Sequence, residues 1–175
     1  AFDTGPGNMV MDGLMGEDEY DRDGATASRG VVNDTLLAEL LAHPYYRQPP
    51  PKTAGREQYG REFLGRFAHL SREDAVATAA ELTARTIAQA VAAYPGTQEV
   101  IASGGGVKNP YLMDRLRQAL TADLKTSQDF GVDPDAKEAI AFAILAYESF
   151  HGRPGNVPSA TGAARAVILG KSVDP

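Results

Sequence analysis

The chain has 175 residues, 43% of them hydrophobic, with no Cys and a formal net charge of -6. That length buries a real core within one domain, and the acidic balance excludes a broad nucleic-acid or anionic-membrane footprint. The lack of Cys excludes disulfides and thiolate chemistry. No apolar run approaches a membrane span, and His43, His69 and His151 are too far apart for metal-ligand spacing. A cytoplasmic location fits this composition.

Residues 1–4 read as the end of a strand, and Asp3-Thr4-Gly5-Pro6-Gly7-Asn8 turns out of it. One carboxylate therefore stands at a strand exit, and the abrupt start implies that a further segment precedes it. Asn8 is placed to cap a short helix carrying Met9, Val10, Leu14 and Met15. Residues 16–30 are acidic and Gly-punctuated, with Glu17, Asp18, Glu19, Asp21 and Asp23 read as a solvated loop. Asp34 caps a helix with Leu36, Leu37, Leu40 and Leu41 that ends before Pro44.

Pro49-Pro50-Pro51 favours a stiff, extended segment. Lys52 and Arg56 beyond it are either cations carried on a rigid arm toward an anionic ligand or solvated charges on a connector. Ser71 starts a long helix, with Asp74 at the capping-box position. Val76, Ala80, Thr83, Ile87 and Val91 repeat at helical spacing and predict one buried face. Glu99–Ser103 reads as a short buried strand entering Gly104-Gly105-Gly106. Pro110 suits the first turn of a helix carrying Leu112, Met113, Leu116 and Leu120, and Leu124–Thr126 reads as a second short strand. Asp133-Pro134 opens the last long helix, through Ile140, Ala143, Tyr147 and Phe150, and an apolar run follows at Ala166–Leu169. The sum is one α/β domain rich in helix.

Two motifs carry chemistry. Gly104-Gly105-Gly106 lies between a strand and a helix, where glycine admits close backbone approach and the helix offers free N–H donors. It matches neither G-x-x-x-x-G-K-[ST] nor G-x-G-x-x-G, since Asn stands at 109, and a tight turn is the plain alternative. Asp3-Thr4-Gly5 has two uses. It occurs in aspartic proteases, where a single copy per chain requires a homodimer. It also occurs in the second phosphate loop of sugar kinases, where the Asp is a base beside the γ-phosphate. The high helix content sits badly with the protease.

Several segments in order resemble the C-terminal half of the anhydro-N-acetylmuramic acid kinase family, within the acetate and sugar kinase/actin superfamily. They are Phe2–Asn8, Asp23-Gly24 with Ala27 and Gly30-Val31, Pro49–Glu57, Gly104-Gly105-Gly106 with Asn109, Lys137–Ala143, and Pro154–Ala163. Asp12-Gly13-Leu14, Ser103 and Ala54 depart from the family's usual residues.

The resemblance implies a ribonuclease-H-like C-terminal lobe, a mixed sheet covered by helices, whose N-terminal lobe is absent. It implies an ATP- and Mg2+-dependent kinase that hydrolyses the 1,6-anhydro bridge and phosphorylates the sugar, in peptidoglycan recycling. Asp3 would be the general base. Thr4, Gly5, Gly7, Asn8, Gly104, Gly105, Gly106 and Asn109 would bind nucleotide. Glu138 would approach the sugar, with the alternative of a first-turn acid favoured by the helix dipole, and Arg56 and Lys52 would approach the sugar or the phosphates. The expected partners are the amino sugar, ATP and the missing lobe, with a homodimer left open and neither nucleic acid nor membrane. A nucleotide-binding module without activity of its own is the remaining alternative.

Overall fold

Small side chains set the centre of this fold. The computed structural model describes residues 1–16 and 19–171, so Glu17 and Asp18 of the acidic run lie outside the described residues. The helices are α1 (Met9–Met15), α2 (Asp34–Leu41), α3 (Arg61–Gly65), α4 (Arg72–Ala92), α5 (Pro110–Ala119), α6 (Lys137–Phe150) and α7 (Pro158–Thr161). The strands are β1 (Glu99–Ala102) and β2 (Asp123–Thr126). No described helix is long and apolar enough to cross a membrane.

The first half of α4 is buried on every side, from Ala75 through Ala84. Apolar spacing predicted one buried face. The helix instead runs through the middle, with α1, α2, α5 and the Ala27–Arg29 turn packed around it. Ala and Thr permit that crowding, and Gly30 marks its limit. A Cβ at Gly30 would lie 2.1 Å from the Glu73 carbonyl oxygen. Val10, Leu40, Tyr59, Phe67 and Leu82 fill the remaining core.

Capping explains where the helices begin. Ser71 accepts from the Asp74 N–H at 3.1 Å, as expected. The Asp74 carboxylate accepts from the Val31 N–H at 2.7 Å, which holds its carboxyl below the usual range, with the Ser71 hydroxyl adding to the effect. The cap of α2 lies one residue earlier than expected, since Asn33 Oδ1 accepts from the Leu36 N–H at 2.8 Å. Asp34 becomes the first helical residue, where a negative charge suits the dipole. Helix α1 forms over the expected residues, but the Asn8 side chain does not cap it.

A carboxylate ties α4 to α5. Glu81 is buried, and its oxygens accept from Arg85 Nε at 2.6 Å and Arg115 Nε at 2.5 Å. Burial raises the cost of ionising Glu81, yet the bonds from Arg115 and Arg85 outweigh it and hold the carboxyl below its usual value.

β1 and β2 pair in parallel, from Glu99 opposite Asp123 to Ala102 opposite Thr126, with α5 lying between them in the chain. The molecule is thus α/β, but the sheet of the described residues has two parallel strands and is not mixed. The 99–103 segment was expected to be buried, whereas Ile101 is 51% exposed. Residues 1–4 join neither strand, and the Asp3 N–H donates instead to the Lys52 carbonyl at 3.1 Å. Helix α6 has no buried residue, although Phe142 and Phe150 lie on it, 71% and 82% exposed. The described residues carry a small parallel sheet among helices, unlike a β-rich protease.

Candidate active site

Asp3 is held by its backbone as much as by its side chain. Its N–H donates to Lys52, its carbonyl accepts from the Tyr45 hydroxyl at 2.7 Å, and its Oδ2 accepts from the Ala54 N–H at 2.9 Å. The segment after the three prolines is therefore the wall against which Asp3 is set. Asp3 itself is exposed, so its carboxylate is open to a ligand.

The two cations of that segment differ. Lys52 turns inward, donating to the Tyr45 and Tyr46 carbonyls at 3.2 and 3.5 Å. Its ammonium lies 4.8 Å from the Tyr45 ring centroid and 6.0 Å from that of Phe2. Arg56 is exposed.

The turn after Asp3 is seated on α4 by two threonines. A Cβ on Gly5 would lie 2.5 Å from Thr86 Oγ1, so only glycine fits there. Gly7 has a φ of +57°, and its carbonyl accepts from Thr83 Oγ1 at 2.7 Å. Thr83 was read as one more residue of the buried stripe, and Thr86 was not singled out. The Thr86 hydroxyl bonds within its own helix, to the Thr83 carbonyl at 3.0 Å, so Thr86 meets the loop by contact and Thr83 by a hydrogen bond. Thr4 lines a separate cavity of about 630 Å³ with Phe2, Pro51, Ile87, Val91 and Tyr94.

Asn8 links the two motifs. Its side chain lies against the glycine loop, where a Cβ on Gly106 would come within 2.8 Å of Asn8 Oδ1. Gly104 has a φ of +92°, Gly105–Lys108 form one 3-10 turn, and Asn109 Oδ1 caps α5 by accepting from the Leu112 N–H at 3.0 Å. Asn8, Gly105 and Asn109 line one cavity of about 520 Å³, together with Asp12, Asp23 and Lys108. Burial pushes the Asp12 carboxyl above its usual range. Lys108 forms a salt bridge with Asp135, which holds its ammonium above the usual value.

The structure thus brings Asn8, Gly105, Gly106 and Asn109 together, and it sets Asp3 against Lys52 and Ala54. Glu138 is exposed in the first turn of α6 and does not line the Asn8 cavity. Part of the acidic run has a structural role instead of being solvated. Asp21 is buried, and its oxygens accept from the Thr26 and Ala27 N–H groups at 2.7 and 3.1 Å. Among the described residues, no group of three or more His, Cys, Asp or Glu side chains could hold a metal ion.

The sequence profile of anhydro-N-acetylmuramic acid kinase matches residues 1–174. The chain belongs to that family. It is 46% identical to the anhydro-N-acetylmuramic acid kinase of Rhodococcus erythropolis, over 97% of this chain and 45% of that protein. It is 47% identical to the one from Streptomyces avermitilis, over 100% of this chain and 48% of that protein. Against the Bacillus cereus kinase the identity is 43%, over 100% of this chain and 50% of that protein. The chain spans about half the length of these curated relatives of the family.

Proposed function

We propose that this chain is the C-terminal lobe of an ATP-dependent kinase acting on 1,6-anhydro-N-acetylmuramic acid. The product is N-acetylmuramic acid 6-phosphate, and the setting is peptidoglycan recycling in the cytoplasm. The observation that carries the reading is family membership over residues 1–174 combined with the fixed Asp3 carboxylate. The single-domain boundary at 1–175 and the ribonuclease-H-like class belong to the same proposal. The exposed apolar residues of α6 support a second lobe, which would cover them.

Asp3 is the general base. The Ala54 N–H fixes Oδ2, and Oδ1 is left to take a proton from the water that attacks the anomeric carbon. The bond from that carbon to the bridging 6-oxygen breaks. The freed 6-oxygen attacks the γ-phosphorus of ATP, and ADP leaves. The loop from Thr4 to Asn8 faces the phosphates. Gly104, Gly105, Gly106 and Asn109 form the adenosine side of the cleft, where the lack of side chains at the glycines admits the ligand.

A Mg2+ ion on the phosphates needs one or two carboxylates, the rest of its shell being phosphate oxygen and water. The Asp12 carboxylate on the cavity wall fits that modest demand. The ion would offset charge on the transferring phosphoryl group. The sugar side is assigned to Glu138 and Arg56. Lys52 serves it from behind, by packing against Tyr45.

The test is a coupled assay of ADP release with Mg-ATP and 1,6-anhydro-N-acetylmuramic acid, on a polypeptide carrying both lobes. Sugar-dependent turnover is expected. ATP binding with no turnover on this sugar would overturn the reading.

A further inference from the structure

Among the described residues, the Asp3 side chain has one hydrogen bond, and the residues that follow it are Thr4, Gly5, Pro6 and Gly7. A base on such a short glycine turn keeps its aim only if its own peptide is fixed. The Tyr45 hydroxyl does this by donating to the Asp3 carbonyl at 2.7 Å. Tyr45 is itself immobilised. It is 6% exposed, its ring meets the Tyr46 ring edge-on at 5.7 Å, and the Lys52 ammonium lies 4.8 Å from its ring centroid. Lys52 also donates to the Tyr45 carbonyl, so one lysine braces both ends of the residue.

We propose that Tyr45 is a positioning residue for the Asp3 base, held in place by Lys52. This rests on the reading of Asp3 as the base. Tyr45 touches no substrate atom. It acts by fixing the peptide plane from which the Asp3 carboxylate projects. Burial, and then the nearby Asp3 charge, push the Tyr45 hydroxyl above its usual value, which keeps it a donor.

The neighbouring hydroxyl provides the control. Tyr59 donates to the Tyr46 hydroxyl at 3.2 Å in the same aromatic cluster, with no bond to Asp3. Tyr45→Phe removes one partly buried hydrogen bond and Tyr46→Phe one buried hydrogen bond, but only the first reaches the base. Both variants, with Asp3→Asn, are compared in the two-lobe polypeptide by steady-state kinetics on Mg-ATP and 1,6-anhydro-N-acetylmuramic acid, alongside thermal melts.

Tyr45→Phe is expected to lower kcat roughly 10- to 100-fold, the scale for a misplaced reacting group. Both KM values should stay within about twofold, the pattern of an interaction that counts in the transition state. Tyr46→Phe should lower the melting temperature comparably and leave kcat unchanged. Equal kcat losses in the two tyrosine variants, or a Tyr45→Phe effect confined to KM, would overturn the positioning role. Wild-type kcat in Tyr45→Phe beside an inactive Asp3→Asn would also overturn it, while sparing the base assignment. An active Asp3→Asn would remove the base assignment, and the proposal with it.

Discussion

The Ala54 N–H and the Asp3 carboxylate are 2.9 Å apart, although 51 residues separate them in the chain. The contact turns a Pro-rich segment into part of the candidate active site. A backbone donor of this kind survives substitution of its own side chain, so the aim of Asp3 does not depend on Ala54 being alanine. It does depend on the path of the 52–54 segment, which Lys52 and Tyr45 fix from behind.

Glu81 should control stability more than activity. Glu81→Gln removes the charge that pairs with Arg85 and Arg115 across α4 and α5. The expected loss is about 2 kcal/mol, in the range for hydrogen bonds to charged groups. It falls below that of a fully buried pair because Arg85 is 56% exposed and can be hydrated. The folded-state carboxyl titrates below its ordinary 4.5. The contribution is therefore fully present above about that pH and is lost as pH falls through the lower folded value. Urea melts from pH 7 to pH 3 on wild type and Glu81→Gln check this. The gap between the two proteins should narrow only at the acid end.

Two glycines should respond differently to an added methyl group. Gly30→Ala places a Cβ 2.1 Å from the backbone oxygen of Glu73, and two backbones cannot both yield. It should destabilise by several kcal/mol, on the scale of overpacking a tight core. Gly106→Ala meets the tip of the Asn8 side chain at 2.8 Å, and Asn8 can rotate away. It should melt close to wild type, within about 1 kcal/mol, and bind Mg-ATP more weakly. Thermal melts paired with calorimetric titration separate the two outcomes, and reversal of this order would contradict the assigned contacts.

On the proposed two-lobe reading, the isolated chain should behave as half of a site. Phe142, Ile144, Tyr147 and Phe150 on α6 are all more than half exposed, so a hydrophobic dye should bind the lone chain. Joining the chain to the first lobe should suppress that binding. The lone chain should bind Mg-ATP weakly and turn over little sugar, because phosphoryl transfer depends on positioning from both sides. Strong dye binding that persists in the two-lobe protein would show that α6 faces something else.

Local signals in the sequence carried far for the helices and less far for packing. The starts of α4 and α5 were legible because Ser71 and Asn109-Pro110 are strong start signals, and both act in the structure as read. The cap of α2 shifted by one residue because Asn33 and Asp34 are both good caps and only tertiary context chooses between them. The stripe of α4 underestimated burial, since alanine carries little periodic signal and suits a helix enclosed on all sides. The predicted burial of β1 presupposed neighbours that the described residues do not supply.

The site divides in the same way. The loops at Asp3–Asn8 and Gly104–Gly106 were visible as motifs because glycine and proline mark unusual backbone. Tyr45, Thr83 and Thr86 were not, because Tyr45 and Thr83 act through one hydroxyl on a distant backbone and Thr86 by close contact with Gly5, and a linear pattern does not encode those pairings. Lys52 read as either a cation carried toward an anionic ligand or a solvated charge on a connector, and its long stem folds back over Tyr45 and Phe2.

The most direct test is Asp3→Asn in the two-lobe polypeptide, with sugar phosphorylation and Mg-ATP affinity measured together. Losing a general base is worth about 10²–10⁴-fold in rate. Asn is nearly isosteric and can still accept from the Ala54 N–H, so the loop should keep its path. Phosphorylation should fall by at least that range, with ATP affinity within about twofold of wild type. Phosphorylation at the wild-type rate in Asp3→Asn would contradict the base assignment.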